Sequence, residues 1–589
     1  MSHLTRRLAG AGLAGACAAA LAATALSAPA TAAPAGGSNA SPNAQGPLMD
    51  IQILSFNDFH GNLQPPSGSS GRILTETGNV DAGGVEYLAT HLADARAGHR
   101  NSITVAAGDL VGASPLLSAA FHDEPTIESM NALHLDASAV GNHEFDEGYK
   151  ELQRLQAGGC IDDGDGQANQ NSCPDGSFGG ADFQYLAANV IETSTGNTVL
   201  PPYTIINRNG ARIAFIGMTL KDTPNIVTAS GIAGLEFRGE VETANALVPQ
   251  LKKKNVNAIV VLVHEGGFPT SNKPFDYTCQ GGGELSGPIV DIAKNLDPEI
   301  DMVITGHTHQ PYVCDVKDPA GQDRLVTSAS SFGRLYTDTS VTYDRRTNDI
   351  VRSSVAGSNM IVTRDVPKDP VQTSIIERYN TLVEPIAATV LGSITQDVTR
   401  TPNAGGESQL GDLIADAQLA DPSVVTGGQE PVIAFMNPGG IRADLSYNQV
   451  SNGEAPGQVT FGEAFTVQPF NNYLVSMTMT GAQIKTLLTE QWSGVNALSP
   501  KVLQVSDGFA YTYSGTTLGT VTLDGAPIGD TTSYRIVTNN FLSDGGDGFP
   551  VFKEATDKYF GGLDIDAFAN HLGDVSPYTP GPLDRITKN

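Results

Sequence analysis

Six short apolar runs, separated by helical-looking stretches, restrict the fold more than any other feature of this chain. They are Ile51–Phe56, Ile103–Ala107, Ala137–Val140, Ile213–Gly217, Ala258–Val263 and Met302–Thr305. Brief β-branched and apolar runs that stop at glycine or polar residues read as buried strands. Strands alternating with helices predict a layered α/β domain. All the runs except Ile213–Gly217 are followed within a residue or two by Asp, His or Asn. Reactive groups in open α/β sheets gather at strand ends, so these side chains are expected to meet.

The residue types at those ends are selective. Asp58-Phe59-His60 follows the first run, Gly108-Asp109 the second and Gly141-Asn142-His143-Glu144 the third. His264 closes a later strand, and Gly306-His307-Thr308-His309 closes the last. Asp58 and His60, like His307 and His309, are spaced i, i+2, which puts both side chains on one side of an extended segment. Five of the eleven histidines sit in these motifs. Carboxylate, amide and imidazole ligands suit borderline divalent cations such as Zn, Mn or Fe. Asp58, His60, Asp109, Asn142, His264, His307 and His309 suffice for two such ions with positions left for water and substrate. The glycines permit tight turns and a close approach to the ions. Glu144 reads as a structural or surface acid.

D-x-H, G-D, G-N-H-E, H and G-H-x-H, in that order, resemble the calcineurin-like metallophosphoesterase superfamily. More narrowly the chain resembles the 5'-nucleotidase family, which includes UDP-sugar hydrolases, over about residues 50–585. That resemblance implies a four-layer α/β/β/α sandwich followed by a mixed α/β C-terminal domain. It implies one metal on Asp58, His60 and His309 with Asp109 shared, and another on Asn142, His264 and His307. His143 would not bind metal but would form a catalytic dyad with Asp146.

The C-terminal half carries further matches. Asn437-Pro438-Gly439-Gly440-Ile441-Arg442 resembles the family's N-G-G-G-I-R loop, with Pro438 in place of a glycine. Arg442 would grip a phosphate oxygen, as guanidinium favours. Pro469-Phe470-Asn471 and the stretch 541–549 match two more loops, so Phe470 and Phe541 would sandwich a nucleobase. Asn437, Gly440, Gly545 and Asp547 complete the expected substrate set, with Asp547 accepting from ribose hydroxyls. The residues before Glu407 are Asn403-Ala404-Gly405-Gly406, and the nearest arginine is Arg400. The family's multi-arginine phosphate clamp is therefore reduced here.

The resemblance implies hydrolysis of nucleotide 5'-phosphates to nucleoside and phosphate. UDP-sugars, 2',3'-cyclic nucleotides and extracellular nucleic acid are alternative substrates, and a non-catalytic nucleotide-binding surface protein is the alternative of another class. With 63 acidic against 34 basic residues in 589, the net charge is -29. So acidic a surface repels nucleic-acid backbones and argues against duplex binding, while a small nucleotide is still admitted where metal reverses the local field.

Arg6 and Arg7, an apolar run and the Ala-Thr-Ala-Ala ending at Ala33 describe a secretory signal peptide over 1–33, by the Sec or Tat route. A Pro/Gly/Ser/Asn-rich leader over 34–47 follows, then the metal domain (48–365), a linker helix (366–390) centred on Ser374–Leu382, and the substrate domain (391–589). No later stretch reaches the roughly 20 apolar residues of a membrane span, and no apolar C-terminal tail suggests an anchor. Cys160, Cys173, Cys279 and Cys314 remain after signal removal. An even number in an exported chain predicts disulfides. Of three connectivities, Cys160–Cys173 with Cys279–Cys314 is favoured because the first closes a short polar loop. The Asp162–Gly166 stretch lacks the terminal glutamate of a calcium loop and reads as a solvated insertion.

Overall fold

The computed structural model describes residues 46–589 except 67, 163–170, 228, 270–274, 276–278, 280–284 and 452. The expected signal peptide, most of the leader and all but Asp162 of the acidic insertion lie outside the described residues.

All six apolar runs are strands, in two sheets. A seven-stranded sheet has the order Asp349–Ile350, Leu335–Asp344, Leu48–Phe56, Ser102–Ala107, Ala137–Ala139 and Gln184–Leu186, with Ala356–Ile361 paired on Leu335–Asp344. A six-stranded sheet has the order Pro311–Lys317, Asp323–Ala329, Met302–Thr305, Ile259–His264, Ala211–Thr219 and Tyr203–Arg208. One core lies between the sheets, where Ile53, Val105 and Leu186 of the first meet Phe215, Val260 and Ile304 of the second. Helices Val85–Arg96 and Glu124–Ala132 cover the outer face of the first sheet, and Glu240–Lys253 and Pro288–Asn295 that of the second. The result is the expected α/β/β/α stack.

Ile259–His264 shows why the runs are apolar throughout rather than alternating. Every residue in it is buried, because each face of the sheet is covered. Each buried Val, Ile or Leu contributes roughly 1.5–3 kcal/mol. The strand is parallel to Ala211–Thr219 on one side and to Met302–Thr305 on the other. Leu48–Phe56, Ser102–Ala107 and Ala137–Ala139 are likewise parallel neighbours. Parallel pairing carries the motif-bearing ends in one direction, which is how residues 250 positions apart come together.

The helix expected at Ser374–Leu382 runs over Pro370–Ala387. Asp369 caps it by accepting from Val371 N at 2.9 Å and Gln372 N at 3.0 Å, and Pro370 fits the first turn, where no donor is needed. It packs on Leu116–Ala119 and Glu124–Ala132 and on Phe461–Val467 of the C-terminal half. Beyond it lies a five-stranded sheet ordered Gln504–Val505, Ile433–Met436, Ser533–Asn539, Tyr473–Thr480 and Thr556–Leu563. Helix Gly481–Glu490 packs on one face of this sheet, and Gln409–Ala420 and Asp564–Asp574 on the other.

The disulfides are Cys160–Cys173 and Cys279–Cys314, the favoured pairing. Among the described residues no helix is long and apolar enough to cross a membrane.

Candidate active site

The strand ends converge as expected, and the backbone bends sharply to bring them together. Asp58, His60, Asp109, His307 and His309 all have positive φ, between 48° and 72°. Non-glycine residues rarely adopt this left-handed region, and it concentrates at sites where the surroundings enforce it. Glycine is required at the crossing points. A Cβ on Gly141 would fall 2.1 Å from Asp109 Oδ1, and one on Gly108 would fall 2.6 Å from Gly141 N.

The side chains of these five residues, with Asn142 and His264, form one cluster in which His307 and His309 are half-buried and the others buried. Asp58 Oδ1 lies 3.2 Å from His309 Nε2, 3.9 Å from His264 Nε2 and 4.0 Å from His60 Nε2. Asp109 Oδ2 lies 2.9 Å from His264 Nε2 and 3.6 Å from His60 Nε2. His307 Nδ1 is 3.1 Å from Asn142 Oδ1.

Tautomers decide what this cluster can hold. His60 Nδ1 donates to Gly112 O at 2.8 Å and His264 Nδ1 to Ala107 O at 2.7 Å. A neutral ring so oriented turns the lone pair of Nε2 inward. His264 Nε2 then meets Asp109 Oδ2 without hydrogen-bond geometry, and His60 Nε2 meets His309 Nε2 at 3.2 Å. A neutral His264 so placed turns an acceptor on the Asp109 carboxylate, a repulsive contact unless a proton or a metal ion lies between them. The donor set therefore fits divalent cations, and Asp58 with His60 and His309, and Asp58 with Asp109 and His264, form groups compact enough for one each.

Burial and the two carboxylates pull the imidazoles in opposite directions. Burial pushes His60 well below the ordinary histidine value, His307 down to about 3, and His309 down. For Asp58 and Asp109 burial acts upward, but the imidazoles win: His309 and His264 hold Asp58 below the usual range, and His264 and His143 hold Asp109 well below it. Burial also opposes charge on His264, yet Asp109 and Asp58 raise it to about 10. The same two carboxylates that would retain a proton there would retain a metal ion.

His143 stands at the edge of the cluster. Its Nδ1 pairs with Asp146 Oδ2 at 2.7 Å, and its backbone N donates to Asp109 Oδ1 at 2.9 Å. Burial lowers its pKa, but Asp146 and then Asp109 outweigh that and raise it. Nδ1 is thereby committed to Asp146, and the ring stacks on Phe470 at 5.8 Å.

A cavity of about 190 Å³ opens beside His143. Asn142, His143, Asp146 and His307 line one end, and Asn437, Gly440, Arg442, Phe470, Phe541 and Asp547 are among the residues that line the rest. Arg442 lies over the Phe470 ring at 5.8 Å. Gly545, expected among these residues, does not line the cavity. Its left-handed backbone (φ 83°) serves a turn, and a Cβ there would meet Lys553 Cε at 2.6 Å. Arg400, the nearest arginine to the reduced clamp, donates to Ile441 O at 3.2 Å. Burial lowers the pKa of Arg442, and the charge of Arg400 lowers it further, so the two guanidiniums are neighbours.

Three residues that sequence reading left out hold this site. Glu144 accepts from Asp109 N at 2.9 Å, Leu110 N at 2.8 Å and Gly141 N at 2.5 Å. It thus ties the second motif to the third, and burial and Asp109 push its carboxyl up to about 7. Asn57 donates to Asp58 Oδ2 at 2.6 Å and to Ser330 O at 2.7 Å, fixing the first ligand. Lys501 lines the cavity and pairs with Asp547. The acid directly after His143 in the G-N-H-E motif is the signal that the sequence offers for Glu144.

Two family models match the chain: the calcineurin-like phosphoesterase over 51–311 and the 5'-nucleotidase C-terminal domain over 386–554. The cell wall protein Lmo0130 of Listeria monocytogenes is 33% identical over 577 residues, 91% of this chain and 68% of that protein. Endonuclease YhcR of Bacillus subtilis is 32% identical over 502 residues, 84% of this chain but 37% of YhcR, so this chain spans little more than a third of it. The crystal structure of a 5'-nucleotidase precursor from Thermus thermophilus superposes with a TM-score of 0.72 at 25% identity, covering 92% of this chain and 99% of that one. Fold and family together define a metal-dependent phosphoester hydrolase of the calcineurin-like class. Within that class the chain belongs to the 5'-nucleotidase family.

Proposed function

We propose that this protein is exported and hydrolyses nucleotide 5'-phosphates to nucleoside and phosphate. One observation carries the reading: a single cavity has the Asn142, His143 and His307 end of the ligand cluster at one side and Phe470, Phe541 and Asp547 at the other. Asp58, His60, His309 and Asp109 would hold one divalent cation, and Asn142, His264, His307 and Asp109 the other. Bound there, the two cations supply Lewis acidity toward the phosphoryl group and a more acidic water nucleophile.

The chain's own groups do the rest. His143, whose pKa Asp146 raises, faces the phosphoryl group and as imidazolium offsets charge that grows in the transition state. Arg442 offers a planar guanidinium to a phosphate oxygen. Phe470 and Phe541 stack on the base, for which any nucleobase has a suitable face, and Asp547 serves the ribose. Export rests on the signal-like segment 1–33, the two disulfides and the likeness to a cell wall protein. The domain limits read from sequence (48–365, 366–390, 391–589) remain part of this proposal, with the Pro370–Ala387 helix as the join.

Likeness to an endonuclease supports a second reading, attack on phosphodiesters. A panel of nucleoside monophosphates, UDP-sugars, 2',3'-cyclic nucleotides and single-stranded DNA separates the two. Phosphate from monophosphates is expected; release from a cyclic nucleotide without any from monophosphates overturns the preferred substrate. His143→Ala is expected to lose turnover while retaining its metal content, and unchanged turnover would remove the dyad from the mechanism.

A further inference from the structure

The nucleotide cavity has a cation at each end. Arg442 stands at the metal end, and Lys501 at the far end beside Asp547. The chain as a whole is strongly acidic, with 34 basic residues against 63 acidic, so two cations lining one small cavity stand out from its surroundings.

Lys501 is firmly placed. Its backbone N donates to Gln491 O at 2.9 Å, just past helix Gly481–Glu490. Its Nζ lies 2.5 Å from Asp547 Oδ1. The other oxygen of Asp547 accepts from Asn437 Nδ2 at 2.8 Å, and Asp547 is 7% exposed. Asp547 itself sits on a left-handed backbone (φ 56°), so its aim is set by the loop rather than by chance.

A lone carboxylate at this end would accept from ribose hydroxyls and repel a phosphate. The ion pair changes that. It cancels the local negative charge, and an ammonium has three donors of which Asp547 engages one. With Asn437 on Oδ2 and Lys501 on Oδ1, the carboxylate also has fewer lone pairs left for hydroxyls.

We propose that Lys501 is a specificity-determining residue that makes the ribose end of this cavity an anion subsite. The favoured substrate is then a nucleoside 5'-phosphate that carries a second phosphate on its 2' or 3' oxygen. The reaction is unchanged: the 5' ester is cleaved, and the second phosphate stays on the nucleoside. This inference rests on the nucleotide reading of the cavity.

The test uses full-length, Mn-loaded protein and compares adenosine 5'-phosphate with adenosine 3',5'-bisphosphate. One charge-assisted contact is expected to lower KM for the bisphosphate by about tenfold. Lys501→Met is expected to reverse that preference, because Asp547 is left uncompensated, and Lys501→Arg to keep it. Adenosine 3'-phosphate, which has no 5' ester, is expected to inhibit wild type competitively and more strongly than adenosine does, and to lose that advantage in Lys501→Met. Equal or higher KM for the bisphosphate in wild type overturns the inference without need of any variant. So does a preference that survives in a folded Lys501→Met. Turnover of adenosine 5'-phosphate without the preference leaves the nucleotidase reading standing; no turnover of either compound overturns both.

Discussion

Replacing Glu144 tests whether the metal cluster is held by one buried acid that touches no ion. Its Oε2 accepts from Asp109 N and Gly141 N, and its Oε1 from Leu110 N. In Glu144→Gln one oxygen can still serve Asp109 and Gly141, but the amide NH2 is turned against Leu110 N–H. One buried donor left unsatisfied costs about 1–3 kcal/mol. In Glu144→Ala all three donors lose their partner, and the cost is on the order of 3 kcal/mol or more. Because those donors set the aim of Asp109 and Asn142, metal affinity is also expected to fall, by roughly 10–100-fold as for other outer partners of metal ligands. Urea unfolding of the metal-free variants at constant m reads the first effect, and chelator competition with Mn reads the second. Wild-type midpoints together with wild-type metal retention in both variants would refute the claim that Glu144 joins the two motifs.

Other consequences are simpler to measure. Asp146→Asn is expected to lower kcat and to move the basic limb of the kcat/KM profile to lower pH. The sign follows from His143: Asp146 and Asp109 raise its pKa, so the imidazolium survives above the ordinary value and is lost as pH climbs through the raised one. A basic limb that stays in place removes His143 as its source. Phe541→Ala is expected to cost about 1–3 kcal/mol of nucleotide binding, seen as a higher KM for adenosine 5'-phosphate with p-nitrophenyl phosphate unaffected. Equal losses on both substrates would mean that Phe541 supports the fold rather than the base. Phe470→Ala is expected to lower kcat as well, since Phe470 also stacks on His143; an effect on KM alone would deny that contact a role in turnover.

What the sequence discloses depends on how local the signal is. The six strands are legible because each is a continuous apolar run, and five of their ends mark the ligands because Asp, His or Asn follows within a residue or two. The structure lengthens Ile213–Gly217 to Ala211–Thr219 without moving any ligand. Glu144 was legible as an acid but not as an anchor, since two of its three donors, Asp109 N and Leu110 N, belong to a motif about 35 residues earlier. Lys501 lies 46 residues before Asp547, in no motif, and nothing in either segment announces that they pair. Gly545 lies inside a matching loop and looks like a ligand contact, whereas its backbone supplies a left-handed turn. The gap before Glu407 is visible in the sequence, but the approach of Arg400 to Arg442 is not, because it depends on the Ile441 carbonyl that Arg400 bonds.

The most direct measurement is phosphate release from adenosine 5'-phosphate by one preparation in three states: loaded with Mn, stripped by chelation, and reloaded. The account predicts adenosine and phosphate in equal amounts from the loaded protein, none from the stripped one, and recovery on reloading two ions per chain. Protein that holds two ions per chain and yet releases no phosphate from adenosine 5'-phosphate would contradict it.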